Sequence, residues 1–174
     1  MNQNPIPVMV RIHSVITDLT VPLPPDEEPD MTMLFPGAGN EEAPARETVS
    51  CAVTGRMTSD PDYLRVSYSE REDMGFSDDT TTTIYYKKSE PGVVTMVRTG
   101  GVSTAIRFSD KEPRQVVSYN TGVIPVDFVI HTNKIRNNLT EKGGELILDY
   151  DLEIRGARTQ RTLLRLRVTP EADA

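Results

Sequence analysis

The sequence has 174 residues, 37% of them hydrophobic, with no tryptophan and a single cysteine. That is enough chain for one domain with its own core, and one cysteine excludes an internal disulfide and points to a reducing compartment. A formal charge of −7 opposes bulk attraction to nucleic acid or anionic membrane, and no apolar run approaches the ~18 residues of a spanning helix.

The opening Met1-Asn2-Gln3-Asn4-Pro5 lacks the basic flank and apolar stretch of a secretion signal, so none is expected. A first strand is expected within residues 7–21, where Val8, Val10, Ile12 and Ile16 alternate with Met9, Arg11, His13 and Thr17. Residues 22–45 break the pattern. They carry Asp26, Glu27, Glu28, Asp30, Glu41 and Glu42 with no Lys or Arg, and six of the 13 prolines. Low hydrophobicity, repeated proline and one sign of charge give a flexible acidic insertion. Its one apolar stretch, Met31 to Phe35, is a docking segment or lid at most. Without these six acids the remainder holds 20 acidic and 19 basic residues, so the rest of the chain is nearly neutral.

Residues 46–169 then read as strands throughout. Glu47 to Met57 is followed by a turn at Thr58-Ser59-Asp60-Pro61-Asp62, and Leu64, Val66 and Tyr68 alternate with Arg65, Ser67 and Ser69. Asp79 to Lys88 is rich in threonine and tyrosine, which suit a pleated surface. Val93 to Thr99 and Val102 to Phe108 flank Gly100-Gly101, the pattern of a hairpin with a two-residue turn. Arg114 to Thr121, Ile124 to Asn133, Glu145 to Ile154 and Thr159 to Val168 complete ten strands. Short connections imply antiparallel neighbours, and closing the meander into a barrel removes its open edges. A two-sheet sandwich satisfies the same alternation. A single domain is expected either way.

The order of several short motifs carries a resemblance. Tyr68-Ser69-Glu70 ends one strand and Thr80 to Thr83 begins the next; Arg98-Thr99-Gly100, Tyr119-Asn120-Thr121-Gly122, Thr132 and Leu148-Asp149-Tyr150-Asp151-Leu152 follow. This series resembles the YwiB-like family of small uncharacterised bacterial proteins, over roughly Val8 to Val168. The resemblance implies an all-β fold, an antiparallel meander closed into a calycin-like (lipocalin-like) β-barrel of about ten strands. It implies no activity. The acidic insertion is longer than expected of the family. True lipocalins carry a Gly-x-Trp signature on the first strand, and a chain without tryptophan inherits none of their ligand chemistry.

The candidate pocket comprises Tyr68, Glu70, Arg98, Tyr119, Thr132 and Tyr150. Strand periodicity puts Glu70 on the face of Leu64, Val66 and Tyr68, and an acid among core residues needs a partner. Arg98 is the natural one. The pair is either a ligand anchor or a structural ion pair, and the tyrosines and Thr132 either line a cavity or fill a core. His13 and His131 read as surface residues without metal-ligand spacing, and Cys51 as a buried, inert thiol on the face of Val49 and Val53. No nucleophile elbow, phosphate-binding loop or dinucleotide fingerprint is present. Arg155, Arg158, Arg161, Arg165 and Arg167 form a basic stripe that could touch RNA or an acidic partner, but cross-strand pairing with Asp149, Asp151 and Glu153 uses only features already present and is the expected reading.

The expected function is a non-catalytic cytoplasmic β-barrel binding a small molecule or protein partner, a second copy of the chain included. No cofactor, metal, nucleic acid or membrane is expected. Two alternatives stand beside it: an enzyme with Glu70 as general acid or base, and an interaction protein acting through the barrel exterior or the acidic segment.

Overall fold

A computed structural model of the chain describes residues 4–20, 46–70, 80–101, 103–120 and 125–171. The acidic insertion, with the docking segment expected inside it, lies outside the described residues. So do 71–79 and 121–124, and the side chains of 119 and 120.

Ten strands make one antiparallel sheet: β1 (Ile6–Asp18), β2 (Arg46–Ser59), β3 (Tyr63–Ser69), β4 (Thr81–Lys87), β5 (Val93–Thr99), β6 (Thr104–Ser109), β7 (Arg114–Asn120), β8 (Pro125–Asn137), β9 (Gly144–Ile154) and β10 (Ala157–Pro170). Their spatial order is β6-β5-β4-β3-β2-β1-β10-β9-β8-β7. Every sequence neighbour pairs except β6 and β7, and β1 pairs with β10, so the sheet curls into a nearly closed barrel with one seam. The fold is thus the antiparallel barrel expected, not a two-sheet sandwich. No helix among the described residues is long and apolar enough to cross a membrane, which says nothing of strands.

Alternation explains the wall. Val8, Val10 and Ile12 of β1, Leu64, Val66 and Tyr68 of β3, and Leu164, Leu166 and Val168 of β10 point inward and are buried. Gly55 on β2 is required for close approach: a Cβ there would lie 2.6 Å from the Ser67 carbonyl oxygen. The β9–β10 hairpin turns on Arg155 and Gly156, both at positive φ (52° and 83°), the geometry of a type I′ turn.

The Gly-Gly hairpin differs from expectation. A two-residue turn over Gly100-Gly101 would place Thr99 opposite Val102. The ladder instead pairs Arg98 with Thr104, Met96 with Ile106 and Val94 with Phe108, so the connection is wider. Core burial decides this. Slipping the register by one residue would turn β6 over and set Arg107 against Val94 inside the barrel.

The seam is bridged by side chains. Gln115 Oε1 accepts the Arg107 backbone N–H at 2.7 Å, Thr132 Oγ1 accepts that of Ser109 at 3.4 Å, and Thr104 donates to the Ser118 carbonyl at 3.5 Å. The two ends of the barrel also differ. At one, Leu139 is buried in the β8–β9 connection and its carbonyl accepts the Tyr86 hydroxyl at 2.5 Å, capping an apolar interior that includes Met57, Leu64, Phe108 and Leu146. The other end, where β3 and β5 finish, is polar.

Candidate functional site

A single cross-strand row positions the polar end. Gly55, Tyr68, Thr82, Arg98 and Thr104 lie opposite one another from β2 to β6. Period-two alternation turns this row inward, beside Val66, Ile84 and Met96 two residues along. Glu70 follows Tyr68 by the same step. It lies just past β3, yet its backbone N–H still bonds the Thr80 carbonyl at 2.8 Å, which keeps its side chain on the inner face.

Glu70 is only 2% exposed. Its Oε1 accepts from Arg98 Nε at 3.1 Å and from the Thr82 hydroxyl. Its Oε2 is buried and has no hydrogen-bond partner among the described residues. The Arg98 side chain is 21% exposed, so the pair runs from a fully enclosed carboxylate toward solvent. Tyr68 is buried beside it. Burial first, and the Glu70 charge second, push the phenol above its ordinary range, with Arg98 pulling the other way. Tyr150 is also raised by burial, opposed by Arg98 and by a hydrogen bond with Thr162, and its ring lies 5.0 Å from Phe108. Both phenols therefore stay protonated.

Among the sequence candidates, Tyr68, Glu70, Arg98 and Tyr150 come together. Thr132 faces Tyr150 across the β8–β9 ladder, but its hydroxyl bridges the seam to Ser109. The Tyr119 backbone pairs with Val126; its side chain lies outside the described residues. Sequence reasoning passed over Thr82 as a site residue. Its signal was present, since Thr80 and Thr82 share the inward face of Ile84 and Tyr86 and all four are buried.

Other expectations need correction. His131 is not a free surface residue: its side chain is 17% exposed and Nε2 lies 2.5 Å from Glu153 Oε2, because β8 and β9 bring the two onto one outer face. Cys51 is only partly buried, although it packs against the core. The basic stripe is largely matched as the cross-strand rule requires. Arg158 pairs with Asp151, Arg161 with Asp149, and Arg165 more loosely with Glu145 at 3.7 Å.

Chemically, this end of the barrel is a buried carboxylate with one oxygen held by a cation and a hydroxyl and the other without a donor among the described residues. Such an oxygen accepts a hydrogen bond from whatever N–H or O–H reaches it. Among the described residues no cluster of His, Cys, Asp and Glu has the makings of a metal site.

These features define an antiparallel β-barrel with one polar interior end. A family described as a domain of unknown function, DUF1934, matches residues 38–166, and the chain belongs to it. The solved structure of the YwiB protein from Bacillus subtilis is similar over 98% of this chain and 96% of that one, with a TM-score of 0.70 at 16% identity. At that identity the likeness concerns the fold alone. No curated protein matches the chain.

Proposed function

We propose that this protein is a non-catalytic, cytoplasmic β-barrel that binds a small polar molecule at the Glu70 end, with a calycin-like use of the barrel interior. The observation that carries this reading is the buried Glu70 Oε2, which has no donor among the described residues. A buried, unsatisfied carboxylate oxygen is costly, and a ligand N–H or O–H would remove that cost. Arg98, the tyrosine hydroxyls and Thr82 would orient the rest of the molecule along the path from Glu70 to solvent. A sequence with a single cysteine, Cys51, fits a reducing compartment. Tyr68, kept protonated by its burial, can donate a hydrogen bond to a ligand.

Native mass spectrometry of the protein taken directly from cells tests the proposal. Wild type should carry an added small mass that denaturation releases, and Glu70→Gln, nearly isosteric, should lose it. A native mass equal to that of the chain, or the same adduct on the variant, would overturn the reading.

A further inference from the structure

The outer wall carries a second site, independent of Glu70. Because Val10, Ile12, Leu164, Leu166 and Val168 must face the core, Arg11, His13, Arg165 and Arg167 face outward. The β1–β10 register sets Arg11 directly opposite Arg167 and His13 directly opposite Arg165. Directly opposed side chains sit about 5 Å apart at Cβ, and like charges there are destabilising. Arginine cannot relieve the repulsion by deprotonating.

Elsewhere on β10 the cross-strand rule supplies acids, to Arg158 and Arg161. At this point the matching lapses. Glu145, opposite Arg167, reaches Arg165 at 3.7 Å, and among the described residues no ion pair engages Arg11 or Arg167. On the β2 side, Ser50 lies opposite His13, and Ser50 Oγ and His13 Nδ1 share a hydrogen bond of 2.6 Å. These side chains line a cleft of about 430 Å³, within the size range of small-molecule sites.

We propose that this cleft binds a phosphate-bearing small molecule, held by the guanidinium forks of Arg11 and Arg167 with Arg165 and the hydrogen-bonded His13–Ser50 pair as further donors. Guanidinium geometry matches phosphate oxygens two at a time, and a bound phosphate turns the repulsion between Arg11 and Arg167 into shared attraction. The cleft lining favours a small ligand over a nucleic-acid strand. It contains no Phe or Tyr on which a base could stack.

Calorimetric titration of the full chain with inorganic pyrophosphate at low ionic strength is the test, paired with amide NMR shifts. Saturable one-to-one binding is expected, with shifts centred on β1 and β10. Arg11→Gln and Arg167→Gln should each weaken it at least tenfold while melting no lower than wild type, since each removes half of a repelling pair. A merely structural role for either arginine would lower the melting temperature instead. Absence of saturable binding to wild type, equal affinity in both variants, or shifts elsewhere would overturn the site. Tighter binding of a single-stranded oligonucleotide, with a salt slope of several charges, would assign the face to nucleic acid and overturn the small-ligand proposal.

Discussion

Glu70 and Arg98 carry the sharpest energetic consequence at the scale of the residue. Removing one member of an enclosed pair strands the other charge, whereas replacing both with apolar groups is often near neutral. Arg98→Met should therefore cost about 3–5 kcal/mol, and the double variant Glu70→Leu/Arg98→Met should recover most of that loss, as measured by urea unfolding at neutral pH. A double variant as unstable as the two single losses summed would show that the pair is not coupled. Asp60 gives a different residue-scale prediction. A hydrogen bond from Arg65, then one from the Tyr63 backbone N–H, hold its carboxyl down from 3.8 to about 2. A carboxyl depressed by folding stabilises the fold above its unfolded value and loses that contribution as the pH falls through the folded one. The melting temperature of wild type should fall between pH 3.8 and about 2 by more than that of Asp60→Asn, and the two curves should converge in acid. Parallel curves across that window would remove Asp60 from the account.

For the strands and turns, register outranks local turn chemistry. Gly100-Gly101 invites a two-residue turn, yet Val94, Met96, Ile106 and Phe108 must all be buried, and this forces a ladder that a two-residue loop cannot close. The same reasoning isolates the seam, where side chains do the work of a ladder. Gln115→Leu should leave the Arg107 amide without its acceptor, speed its hydrogen exchange relative to other β6 amides, and cost about 1 kcal/mol. Unchanged exchange at Arg107 would mean that the seam is held by something else. The exposed apolar residues Val116, at 60%, and Val126, at 45%, lie on the β7–β8 hairpin beside this seam.

On the scale of the whole molecule, the chain closes on itself through its first and last strands. Val8 lies opposite Pro170, and the Glu171 N–H bonds the Pro7 carbonyl at 3.0 Å. The termini of the described barrel are therefore neighbours, while the β6–β7 connection spans the one gap in the sheet. A circular permutant that links the ends and opens the chain between Lys111 and Glu112 retains every ladder. It should fold with a melting temperature within a few degrees of wild type; failure to fold would show that the β6–β7 connection, and not the sheet, holds the seam.

All ten strands and the inward side of Glu70 were legible in the sequence, because facing inward or outward follows a period of two that each strand carries locally. So was most of the basic stripe's neutralisation, since β9 and β10 form one hairpin and their charges alternate in step. Thr132 could not be assigned. Its hydroxyl serves the seam, and where a sheet fails to close depends on ten registers at once. Nor was the facing of Arg11 on Arg167 legible, because nothing near either residue says that β1 will lie beside β10. Alternation thus determined what each strand turns toward the core. Only closure of the barrel, set by burial of the whole interior, decided which residues from the two ends of the chain meet across it: Arg11 with Arg167 on the outer wall, whereas Glu70 and Arg98 meet within the β3-β4-β5 meander that the sequence already implied.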